Sequence, residues 1–101
     1  MLTTFEQKVL STIKLIPTGK VSTYREVARA IGRAGSARAV GNALNKNPDA
    51  PRVPCHRIVK SNGELGGYAG GEKRKIALLA KEGVVVRQGR INNLKDVFYK
   101  F

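Results

Sequence analysis

Between Thr23 and Asn45 the chain carries two apolar stripes of helical period joined by a four-residue turn, Gly32 to Gly35. Thr23 and Glu26 stand three apart, the spacing of a capping box at a helix start. Val27, Ala28 and Ile31 then fall on one face. Ser36 is the matching N-cap for a second helix, which runs to about Asn45 with Val40 and Leu44 inward. Helix, short glycine-containing turn, helix is the outline of a DNA-binding helix-turn-helix. Any helical hairpin in a small core shares that outline.

Charge favours the first reading. The chain of 101 residues holds 19 Lys+Arg against 7 Asp+Glu, a formal net charge of +12. Self-repulsion on that scale destabilises a compact state, so a polyanionic partner is expected, nucleic acid before a ribosomal or membrane-surface role. The second helix of the pair is unusual for a major-groove reader. Its outward face offers Ala37, Arg38, Ala39, Gly41, Asn42 and Ala43, where such readers usually carry several long polar side chains. Small residues permit close backbone approach, and the single Arg38 suggests one inserted side chain, as in proteins that wedge open a base stack.

The other elements follow from the same signals. A helix is expected from about Thr4 to Ile16, with Thr4 and Gln7 as its capping pair and Pro17 and Gly19 ending it. Asn47 to Pro54 reads as a loop set by Pro48, Pro51 and Pro54, followed by a short strand or buried turn at Cys55-His56-Arg57-Ile58-Val59. Gly66 to Gly71 is a glycine-rich loop without the lysine and serine or threonine of a phosphate loop. A last clear helix spans Glu72 to Glu82, with Ile76, Leu79 and Ala80 inward and Gly83 beyond its end. Val84 to Ile91 suggests a hairpin turning at Gln88-Gly89, and the apolar residues from Leu94 to Phe101 are expected to pack back on the body. The expectation is one small α/β domain over residues 1–101, a helix-turn-helix of winged-helix-like kind with a loop carrying Cys55 and a small C-terminal hairpin. No run approaches the roughly 18 apolar residues of a membrane span. No signal peptide is read at Met1 to Gln7, so cytoplasmic residence is expected, or nuclear in a eukaryote.

One cysteine and one histidine allow no internal disulfide and disfavour a zinc site; neither metal nor cofactor is expected. A lone cysteine is often only a small buried hydrophobe. Cys55, however, follows Pro54, precedes the only histidine, and has Arg52 and Arg57 nearby, and cationic neighbours favour the nucleophilic thiolate. His56 is positioned to orient or deprotonate it, and a working histidine needs a third group to hold its tautomer. Glu82 is a candidate: a carboxylate in the last turn of a helix opposes the macrodipole, which a pairing with His56 would offset. The alternative is a solvated surface glutamate.

The run Val53-Pro54-Cys55-His56-Arg57-Ile58-Val59 resembles the active-site motif of the O6-alkylguanine-DNA alkyltransferases. Thr23-Tyr24-Arg25-Glu26-Val27-Ala28 is similar to that family's first DNA-facing helix, and Ala37-Arg38-Ala39-Val40-Gly41 to its recognition helix. Asn47-Pro48 precedes the cysteine at the family spacing. Gly67-Tyr68-Ala69-Gly70-Gly71 resembles the substrate-pocket loop, and Leu78 to Gly83 the final helix. The likeness extends from about Phe5 to Val86.

The resemblance implies single-turnover transfer of an alkyl group from a flipped-out guanine in duplex DNA to Cys55, by a monomer. It implies that His56 takes the thiol proton through a water, that Glu82 holds His56, and that Asn47 braces the turn carrying the loop. Tyr24 would crowd the target nucleotide and donate to the leaving guanine, Arg38 would fill the gap in the stack, and Tyr68 would face the alkyl group. Val53, Ala69 and Ile58 complete the implied substrate pocket, and Thr23, Arg25, Ser36, Ala37, Ala39, Gly41 and Ser61 the DNA-facing set. Ala69 stands where the family often has serine, and the family's separate N-terminal domain has no counterpart in these residues. The stretch from Val84 resembles the short alkyltransferase-like proteins, which bind alkylated guanine without repairing it and typically carry tryptophan at the cysteine position. A damage sensor and a general basic DNA-binding protein are therefore the rival readings, and Cys55 is what separates them from a transferase.

Overall fold

Thr3 opens the first helix, α1 (Thr4–Ile13), in the computed structural model, which describes residues 1–101. Its hydroxyl accepts from the Glu6 amide at 3.1 Å while the Thr3 amide donates to the Glu6 carboxylate at 2.9 Å. The capping box thus sits one residue before the Thr4–Gln7 pair that spacing suggested, because Glu6 can also meet Lys46 at 2.9 Å. The helix ends at Ile13, short of the expected Ile16, and the residue ahead of Pro17 is itself steered away from helical geometry. Ile16 is buried all the same.

The hairpin of helices is present as α2 (Tyr24–Ala30) and α3 (Ala37–Leu44). Thr23 caps α2, its hydroxyl accepting from the Glu26 amide at 3.0 Å. Glu26 does not return that bond; its carboxylate is held by Arg29 and by the Phe101 amide at 2.9 Å. Ser36 occupies the N-cap position of α3 but its side chain makes no capping bond. Ala43, read as outward, is only 1% exposed beside Val40 and Leu44, because the three fall on the stripe that faces α1 and α2.

Cys55–Arg57 forms one turn of 3-10 helix leading into β2 (Ile58–Val59), which pairs in parallel with β1 (Ser22–Thr23), a two-residue strand too short to show in the sequence. The last long helix is α4 (Glu72–Lys81). Its inward face is Lys75 and Leu79, with Ile76 partly buried; Ala80 is exposed, contrary to expectation. β3 (Val86–Arg87) and β4 (Arg90–Ile91) make the expected hairpin, turning through Gln88 and Gly89, both at positive φ. After the short α5 (Leu94–Val97), the tail docks on β1: the Tyr99 amide donates to the Val21 carbonyl at 2.7 Å.

Two apolar clusters result. One joins α1, α2 and α3 to Val53, Cys55 and Ile58; the other joins Val21 and Val59 to Leu65, Leu79, Val84 and Ile91. The Cys55 turn and β2 run from the first cluster to the second. No helix is long and apolar enough to cross a membrane.

Candidate active site

Cys55 is 6% exposed and lies on the wall of a cavity of about 360 Å³. The proline-rich loop before it fixes its backbone. Asn47 spans that loop from within: its amide nitrogen donates to the Val53 carbonyl at 2.8 Å and reaches the Cys55 sulfur at 3.3 Å. Its side-chain oxygen accepts from the Asp49 amide at 3.0 Å.

Behind the cysteine, His56 is 2% exposed, and its Nε2 lies 2.8 Å from Glu82 Oε2. Arg57 grips the same carboxylate with Nε and Nη2, both at 2.9 Å, and ties it to the turn after α1 by donating to the Ile16 carbonyl at 2.8 Å. Glu82 is the C-cap of α4, where the helix dipole opposes a carboxylate. Burial pushes its acidity down, but hydrogen bonds from Arg57 and His56 outweigh burial and hold the carboxyl below its ordinary range. Burial likewise pushes His56 below its ordinary value, against the pull of Glu82, with the charges of Arg57 and Lys75 adding to burial. A neutral imidazole beside an ionised Glu82 carries its proton on Nε2. That leaves Nδ1, which is buried with no protein partner, as the ring atom able to accept a proton.

The cavity itself is built from three segments. Helix α2 supplies Tyr24, α3 supplies Ala37, Arg38 and Gly41, and the glycine-rich loop supplies Tyr68 and Ala69. Glycine is required at two points here. Gly66 has φ +73°, and a Cβ there would come within 2.5 Å of the Tyr24 hydroxyl. A Cβ on Gly70 would come within 2.9 Å of the Tyr68 ring. The Tyr24 hydroxyl approaches the Gly67 carbonyl at 3.5 Å. Burial, reinforced by Cys55, raises Tyr24 above the ordinary phenol value, so it keeps its proton as a donor. Tyr68 is raised for the same two reasons. Arg38 is exposed at the cavity mouth near the start of α3.

Seven of the residues expected at the site therefore share one cavity, while Asn47, His56 and Glu82 stand behind it. Val53 and Ile58 do not line it, which corrects their expected place in the pocket. Both are buried in the helical cluster, and their carbonyls accept from Asn47 and Lys75 respectively. Thr23, Arg25 and Ser61 line a second, larger cavity of about 880 Å³ that meets the first at Ala37. Ser36 is half-buried just before α3 and Ala39 is exposed on it. Sequence reasoning missed Asn45 and Lys60 in the cavity wall, the Arg57 grip on Glu82, and Lys75. For Asn45 a signal existed: it continues the row from Arg38 through Gly41 at helical spacing.

Residues 4–84 match the family model of the 6-O-methylguanine DNA methyltransferase DNA-binding domain. The chain is 46% identical over 84 residues to the methylated-DNA–protein-cysteine methyltransferase of Shigella flexneri, which covers 83% of this chain and 49% of that one. It thus spans about half the length of the curated relatives it matches. Among solved structures it is similar to Mycobacterium tuberculosis OGT in complex with DNA, with 48% identity, a TM-score of 0.79, and coverage of 81% of this chain and 51% of that one. It is also similar to S. pombe Atl1 in complex with damaged DNA containing O6-carboxymethylguanine, with 37% identity, a TM-score of 0.86, and all of both chains covered.

Proposed function

The chain belongs to the family of the 6-O-methylguanine DNA methyltransferase DNA-binding domain, and on that premise we propose that it repairs alkylated duplex DNA by taking the alkyl group onto Cys55. The observation that carries this reading is Cys55 in the cavity wall with His56 and Glu82 joined at 2.8 Å behind it. A chain that only bound the lesion would have no use for a thiol nucleophile in that wall.

The chemistry runs in one displacement. His56 Nδ1 takes the thiol proton through a water, Nε2 stays on Glu82, and the thiolate attacks the alkyl carbon. The sulfur–carbon bond forms as the carbon–O6 bond breaks, the electron pair leaves with guanine, and Tyr24, a neutral donor, supplies a hydrogen bond or proton to it. A thioether offers no hydrolysable bond, so each chain acts once, with no metal or cofactor. The reactive atom lies on the pairing edge of the base, so the nucleotide must leave the stack. Ala37, Ala39 and Gly41 let α3 approach closely enough for Arg38 to occupy the gap. DNA in the cytoplasm, or in the nucleus of a eukaryote, is the place of action, and a monomer suffices.

A labelled methyl group on guanine should move to the protein, saturating at one per chain, and Cys55→Ser should bind the lesion duplex without accepting it. Binding with no transfer would instead make the chain a damage sensor, the reading favoured by its end-to-end match to Atl1. Arg38 has its own test. Arg38→Ala should slow transfer strongly on fully paired duplex and much less when the target lies opposite an abasic site, where unpairing costs less. Equal losses in single-turnover rate would reduce Arg38 to a phosphate contact.

A further inference from the structure

Lys75 is 0% exposed, although it stands in the middle of a helix between exposed Arg74 and half-buried Ile76. Its ammonium has three N–H donors, and each finds a backbone carbonyl: Ile58 at 2.7 Å, Leu65, and Gly67 at 3.2 Å. Ile58 belongs to β2, directly after the Cys55 turn; Leu65 and Gly67 bracket the glycine that Tyr24 presses against. No carboxylate pairs with it, and all five ion pairs of the chain lie elsewhere.

A buried charge without a counter-ion is costly, so its retention asks what it faces. The nearby groups are few. Cys55, on the turn directly before Ile58, is the one acidic group whose ionised form would favour the Lys75 ammonium. His56 is disfavoured as a cation by Lys75, and its partner Glu82 is already committed to His56 and Arg57. Tyr24 and Tyr68, from α2 and the glycine-rich loop, are both held neutral. Of these only a thiol ionises near neutral pH to give an anion.

We infer that Lys75 is a positioning residue, whose buried ammonium ties the pocket loop to β2 and serves as the counter-charge of the Cys55 thiolate. This rests on Cys55 being the nucleophile. The two roles reinforce each other. A neutral amine has two donors, not three, so the loop is fully held only while Lys75 is charged. Burial lowers it to about 8, while the Cys55 charge works in the opposite direction. Alkylation replaces the thiolate by a neutral thioether and leaves the ammonium alone, so the loop should be held less firmly once the chain has reacted.

The test uses iodoacetamide on the full chain, without DNA. The thiolate sulfur displaces iodide from the methylene carbon, and the thiol proton goes to solvent. Lys75→Met should move the midpoint of the rate's pH profile up by about one unit, a roughly tenfold slower reaction at pH 7. Lys73→Met, exposed on the same helix, should leave it in place. If Lys75 only braced the loop, its loss would expose the thiol and raise the plateau rate with no change in midpoint, and that result would overturn the counter-charge role. Should Lys75→Met fail to fold, the unaltered protein still decides. The Lys75 ε-carbon resonance should titrate at lower pH after carbamidomethylation of Cys55 than before, and an unchanged titration contradicts the inference. A chain that passes both tests yet takes no methyl group from DNA would lose the transfer reading alone.

Discussion

Two buried basic arrangements neighbour Cys55, and they are held in opposite ways. His56 belongs to a closed network in which Glu82 answers both the imidazole and the Arg57 guanidinium, and Arg57 ties the group to the turn after α1. Lys75 has no acid at all and is held by three carbonyls. The network fixes a tautomer and can move a proton. The lone ammonium fixes a loop and leaves its charge available to whatever anion forms nearby. A paired cation is spent on its partner; an unpaired one is not, and only the second can favour a thiolate by its field.

The largest difference should appear on breaking the network. Glu82→Gln removes the anion while leaving Arg57 and His56 enclosed, and losing one partner of a buried pair costs about 3 kcal/mol. Urea unfolding should show it, and the iodoacetamide rate at neutral pH should fall, whereas Asp96→Asn, an exposed carboxylate, should do neither. Equal effects of the two variants would return Glu82 to the role of a surface charge.

Disturbing the loop that Lys75 holds should cost less and act elsewhere. Gly66→Ala places a Cβ against Tyr24 at positive φ, a strain of about 2 kcal/mol. Lesion binding should weaken, and the pH profile of thiol alkylation should move far less than in Lys75→Met, because the buried ammonium and the His56 network both remain. A shift as large as that of Lys75→Met would mean that the loop and the counter-charge are not separable.

The last difference is one of pH window rather than of sign, since His56 and Lys75 both make stability rise with pH but in separate ranges. His56 is held below its ordinary 6.5, so the unfolded chain takes that proton first and stability falls as pH drops below about 6.5. Glu82, held below 4.5, adds to the loss further down. Lys75 is lowered from 10.5 to about 8. Between those values the unfolded chain binds more protons, so stability should rise with pH from about 8. The rise ends near 10, where the unfolded state releases the protons that Tyr24 and Tyr68 retain when folded. Stability curves of the intact chain and of Lys75→Met should diverge only in that alkaline window.

The sequence announced the paired arrangement far better than the unpaired one. Apolar stripes and a threonine cap were enough to place α2 and α3, and a carboxylate at a helix C-terminus pointed to a partner for His56. Lys75 gave no such warning, because lysine within a helix reads as solvent-facing. Its position four residues before Leu79, on the same face, was the available signal. The same weighting put Ala80 inside in its place. Ser36 was a sound cap by type, yet the capping bond is absent. Val53 and Ile58 were assigned to the pocket by motif alone, whereas strand pairing and core packing turn their side chains away from it. What escaped depended on tertiary geometry rather than on local pattern, for Lys75 on which backbone carbonyls converge on its ammonium.

Intact mass after incubation with duplex DNA carrying O6-methylguanine tests the transfer most directly. The chain should gain the mass of one methylene, as S–H becomes S–CH3, on Cys55 and on no other residue, with one equivalent of DNA restored per chain. Cys55→Ser should stay unmodified while still binding. An unchanged mass in excess lesion DNA, or a methyl group mapped elsewhere, would contradict it.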